Sequence, residues 1–141
     1  MKKLLFLLMA GLTIFVLPLT VEAQVVSLVS TNNSLTLDTV TNAGVRVLSK
    51  VVPGNKATIT IQVNVTKISG TLGGTIIPVA SNDGVKWYAA GSGTFTVTDV
   101  ASQGVNFSPP LGFAYYGVQW TGTGTMAGSF NASLLARTSY Q

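Results

Sequence analysis

Apolar and polar positions alternate without a break along residues 57–66. Ile59, Ile61, Val63 and Val65 fall on one side, and Thr58, Thr60, Gln62, Asn64 and Thr66 on the other. Successive strand side chains point to opposite faces, so this run predicts a strand that is buried on one side and wet on the other. Runs at 34–40 and 45–52 read as strands joined by Thr41-Asn42-Ala43-Gly44, and Pro53-Gly54-Asn55 is a turn. Residues 70–74 form a flexible turn. The strand at 75–81 contains Pro78, which predicts an edge position or a bulge. Ser81-Asn82-Asp83-Gly84 is a tight turn, and the run at 94–98 places Phe95 and Val97 together. Ser108-Pro109-Pro110-Leu111-Gly112 is a loop before a strand at 113–121, where Tyr116, Val118 and Trp120 share a face. Gly122-Thr123-Gly124 then turns into a last strand at 125–137 with Met126, Phe130 and Leu134 pointing inward. Residues 24–33 and 138–141 read as frayed ends.

Seven to nine short strands punctuated by turn signals predict an all-β domain, an antiparallel β-sandwich or jelly roll, over residues 24–141. Two sheets that share one apolar layer are the simplest way to bury strands apolar on one side only. No helix-bearing crossover is visible, which argues against a parallel α/β sheet.

The first 23 residues have a different pattern. Met1-Lys2-Lys3 is a positive start, residues 4–17 are uncharged and mostly apolar, and Pro18 precedes Val21-Glu22-Ala23. That grammar predicts a signal peptide cleaved after Ala23. The other reading is a retained membrane anchor, because residues 4–21 just reach spanning length. The protein is then exported or extracellular, and touches a membrane only through residues 4–17 if these are uncleaved. Beyond residue 23 the charges are Arg46, Lys50, Lys56, Lys67, Lys86 and Arg137 against Asp38, Asp83 and Asp99. Six cations scattered along the chain do not make the concentrated patch that nucleic acid requires.

Candidate chemistry is sparse. The 141 residues include no Cys and no His, which removes disulfides, thiolate sites, cysteine nucleophiles and the Ser-His-Asp triad. Ser49 and Lys50 are strand neighbours and point to opposite faces. Asp83 and Asp99 are the remaining carboxylate pair for glycosidase chemistry or, with Asn82, for calcium. Both sit beside turn residues, where Asp is favoured for local backbone hydrogen bonds. The reading is therefore a non-enzyme with no cofactor and no metal. Sequons at Asn32, Asn64, Asn106 and Asn131 occur at the density a Thr/Ser/Asn-rich chain produces by chance, and no glycosylation is read from them. Trp87 and Tyr88, like Tyr115 and Tyr116, are neighbours that alternate faces, so one of each pair fills the core with Trp120. Trp87, Tyr88 and Tyr115 are the candidate surface contacts, for a sugar ring or for a protein interface.

The run Ser81-Asn82-Asp83-Gly84-Val85-Lys86-Trp87 has the form S-N-D-G-x-x-W. It is followed by Thr94-Phe95-Thr96-Val97, Phe113-Ala114-Tyr115-Tyr116-Gly117-Val118 and the hairpin Thr121-Gly122-Thr123-Gly124-Thr125. This order, over residues 57–137, resembles small β-sandwich domains of bacteriophage virion proteins found in fibres, decorations and tail appendages. The resemblance implies a non-enzymatic, surface-displayed module that associates with itself or with other virion proteins and can face a host receptor. The alternative is a secreted or surface bacterial module that binds glycan or protein. The leader departs from the virion pattern, since soluble virion proteins usually lack a signal.

Overall fold

The computed structural model describes residues 23–30, 37–54 and 56–138. The leader at 1–22, the sequon at Asn32 and Tyr140 lie outside the described residues. Among those described, the strands are β1 (Ala23–Ser27), β2 (Val29–Ser30), β3 (Leu37–Thr41), β4 (Val45–Val51), β5 (Lys56–Gly70), β6 (Gly74–Ser81), β7 (Tyr88–Ala89), β8 (Phe95–Val97), β9 (Ser102–Phe107), β10 (Tyr115–Gly122) and β11 (Met126–Thr138).

They form two antiparallel sheets. One runs β9–β5–β11, with β3 and β1 sharing the far side of β11. The other runs β2–β4–β10–β6, with β7 and β8 sharing the far side of β6. From β3 to β6, and again from β8 to β11, every connection passes from one sheet to the other. The order β3-β11-β5-β9 opposite β4-β10-β6-β8 is jelly-roll connectivity.

Alternation decides which residues meet between the sheets. Ile59, Ile61, Val63 and Val65 are all buried, and so are Phe130, Ala132, Leu134 and Ala136 beside them on β11. Opposite lie Tyr116, Val118 and Trp120 on β10, with Leu48 and Ile76 on its flanks. Trp120 meets Phe130 edge-on across the interior, with ring centres 5.5 Å apart. Gly128 makes room for it. A Cβ there would lie 2.5 Å from both the indole Cη2 of Trp120 and Cδ1 of Leu72.

Two expectations need correction, and one strand was not expected at all. Residues 24–30 are not a frayed end: β1 pairs with 133–137 of β11, and Leu28 is fully buried, its N–H donated to the Ala132 carbonyl. The chain changes sheets at Leu28, because β2 then pairs with Ser49 and Leu48 of β4. Second, β6 is not an edge strand and has neighbours on both sides. Pro78 is tolerated because its carbonyl accepts the Ala90 N–H on the side away from β10. The missing N–H lies on that same side, in the break between β7 and β8, so no bond to β10 is lost. Finally, β9 is a strand that the sequence pattern did not announce, since only Val105 and Phe107 on its inward side are apolar and Gln103 stands in the same row.

The burial of β5 sets a stability contrast. Ile61→Ala removes a fully buried side chain and costs about 2–5 kcal/mol of unfolding free energy in chemical denaturation. Thr60→Ala, on the outward side, changes it by about 0.5 kcal/mol. Equal losses at the two positions would contradict the facing of the strand.

Candidate functional site

The turn after β6 is rigid because short polar side chains satisfy its backbone. The Ser81 hydroxyl is buried, accepts the N–H groups of Asp83 (3.2 Å) and Gly84 (2.9 Å), and donates to Oδ1 of Asp83 (2.8 Å). The same Oδ1 accepts the N–H groups of Val85 (2.8 Å) and Lys86 (2.9 Å). These bonds hold the Asp83 carboxyl below the usual carboxylate range, the Lys86 and Val85 N–H groups contributing most. Gly84 has φ 72°, left-handed backbone that favours glycine, and a Cβ there would press on the Tyr115 ring at 3.1 Å.

The loop before β10 locks onto this turn. Oδ1 of Asn82 accepts the Ala114 N–H at 3.1 Å, and the Tyr116 hydroxyl accepts the Phe113 N–H at 3.0 Å. Between the two loops lies a cavity of about 280 Å³, open to solvent and lined by Ser81, Asn82, Asp83, Lys86, Tyr88 and Phe113.

The aromatic candidates divide around this site. Tyr88 lines the cavity and is 65% exposed. Trp87 and Tyr115 instead pack edge-on against each other, with ring centres 6.4 Å apart. Tyr116 is buried, as alternation against Tyr115 requires. The expectation that either Trp87 or Tyr88 fills the core is not met: Trp87 is half-buried and Tyr88 exposed, because two-residue β7 lies at the margin of its sheet. Phe113, Asn82 and Lys86 complete the cavity. Only the S-N-D-G turn signalled that this stretch would be structured.

Asp99 is remote from Asp83. Its Oδ1 accepts the Leu72 N–H at 2.8 Å and lies 2.7 Å from Nζ of Lys67, which ties it to the opposite end of β6. The Lys67 contact, then the Leu72 N–H, holds its carboxyl below the usual carboxylate range. The seven steps of β6, at about 3.3 Å each, set its two ends about 23 Å apart, with one carboxylate beyond each end. Paired acid–base work needs about 5–10 Å, so this geometry does not bring the pair together. Among the described residues, no three His, Cys, Asp or Glu side chains gather as a metal set, and no helix is long and apolar enough to cross a membrane.

No protein-family model matches the sequence, and no curated protein is similar enough to count as a relative. One solved structure, described as "Bacillus endospore appendages form a novel family of disulfide-linked pili", is similar at 18% identity and a TM-score of 0.43. The match covers 85% of this chain and 90% of that one. A likeness of this degree carries no argument about this chain.

The turn makes a pH prediction. Asp83 titrates below its usual value in the folded chain, so the stability that it contributes is present above that value and fades as pH falls through the lowered one. In an NMR titration the amide protons of Val85 and Lys86 should shift together, with a midpoint below 3.8. A midpoint at or above that value would contradict the bonds to Asp83.

Proposed function

We propose that the chain is a non-enzymatic structural subunit of a surface-displayed assembly, most simply a component of a bacteriophage virion such as a decoration, fibre or appendage. The observation that carries this reading is an unguarded sheet edge. Exposed edges offer unpaired backbone groups to other chains, and monomers usually blunt them with charge, Pro or bulges. On β3, Asp38 turns its carboxylate onto the Thr39 N–H at 2.7 Å and faces Arg46 at 3.8 Å. On β4, the Arg46 guanidinium donates to the Val45 carbonyl at 2.9 Å. The edge strand β9 has no such device. It carries no charged side chain, and no described strand pairs with its outer side.

The face beside that edge is equally uncharged. Rows such as Ser133–Gln62–Asn106 and Thr39–Ser129–Thr66–Ser102 cross the outer side of the sheet, and Asn64 donates to Asn131 at 3.2 Å. Arg137 is the one charge on the outward positions of β5, β9 and β11 between 58 and 137 among the described residues. An edge and a face of this kind support packing of a second chain by backbone pairing and amide or hydroxyl contacts. The jelly-roll connectivity is shared by viral capsid and lectin domains, an analogy of fold alone.

Light scattering over a dilution series tests the assembly. The protein should exceed monomer mass at high micromolar concentration. Ser102→Lys with Asn106→Lys should shift it to monomer without lowering its melting temperature. A sharp monomer mass throughout, or an assembly indifferent to both lysines, would overturn the reading. Capsid and portal genes beside this one are the outcome that the virion reading expects, and polysaccharide-use genes would contradict it.

A further inference from the structure

We infer that the cavity between the Ser81–Tyr88 turn and Phe113 binds a neutral, hydroxyl-rich ligand, one ring of a saccharide. This goes beyond the assembly reading and holds whether or not the chain associates.

The cavity's chemistry suits such a ring. Two aromatic side chains, Tyr88 and Phe113, stand beside short polar groups in one open site of about 280 Å³. Aromatic rings stack on the C–H faces of sugars, whose hydroxyls then need both donors and acceptors. Both are present. Asn82 commits Oδ1 to Ala114, and its Nδ2 makes no hydrogen bond among the described residues. The Lys86 ammonium takes part in no ion pair among those residues, while Asp83 supplies an ionised acceptor. One cation and one anion leave the site close to neutral, so it does not select strongly for an anion or a cation.

Pre-organisation supports the same conclusion. The turn is held by Ser81 and Asp83, and the opposite wall by Tyr116 and Asn82, so little ordering entropy remains to be lost on binding. Tyr88 is 65% exposed, and stacking would cover an aromatic surface that the fold itself leaves in water. The openness of the cavity fits one ring of a longer glycan, with its neighbours continuing into solvent.

Saturation-transfer NMR on the full chain, with methyl glycosides of glucose, galactose, mannose and N-acetylglucosamine at about 10 mM, tests this; weak single-ring affinity is read at that concentration. At least one glycoside should receive saturation. Tyr88→Ala should weaken it about tenfold or abolish it. Lys86→Ala should weaken it less. Thr60→Ala, on the other sheet's outer side, should leave it unchanged. Melting curves establish that each variant is folded, and light scattering reads assembly separately, so loss of one property does not mimic loss of the other. No transfer to any of the four glycosides, or transfer undiminished in folded Tyr88→Ala, would overturn the assignment.

Discussion

The indole of Trp120 is fully buried on β10, with its ring centre 5.5 Å from that of Phe130 on β11, and its N–H reaches the Gly73 carbonyl at 3.4 Å. This contact joins the two sheets at the end where the 41–45, 70–74, 98–102 and 122–126 turns gather. It is possible only because position 128 has no side chain. Burial of the aliphatic rows of β5 and β11 then follows, since the spacing set by the indole is filled by Ile, Val, Leu and Ala of matching reach. The long β5–β11 pairing aligns those rows, and its register shift between Ala127 and Gly128 lies beside Trp120.

The far end of the sandwich is organised by polar bonds around one aromatic, Tyr116. It belongs to the core by burial and to the site by its hydroxyl, which fixes Phe113. One wall of the solvent-open cavity is therefore tied directly to the packed interior. Its opposite number, the Lys67–Asp99–Leu72 cluster, performs a closing role at the Trp120 end. The two carboxylates that the sequence offered as a pair each hold a separate turn through Oδ1.

Strand facing was readable from residues alone wherever alternation ran for several positions, as in Ile59 to Val65 or Tyr116 to Trp120. Three features were not, each for a physical reason. Leu28 gains its burial from a sheet switch, a tertiary event that two short apolar stretches do not encode. The place of Pro78 depends on which side of β6 its missing N–H faces, which strand pairing decides. The polar spacing of β9 hides a strand whose pairing comes from β5. The candidate aromatics were visible, but their separation into Tyr88 at the cavity and Trp87 against Tyr115 needed the turn geometry. Phe113 was legible as the start of the segment after the Pro-Pro loop, but not as a wall of the cavity.

This sandwich is closed in its interior and, on the proposed assembly, completed at β9 by a second chain. Amide hydrogen exchange at high and low protein concentration tests it most directly. The β9 amides facing away from β5 should lose protection on dilution, while those of β5 and β10 stay protected. Protection of β9 that does not depend on concentration, or loss spread evenly over all strands, would contradict it.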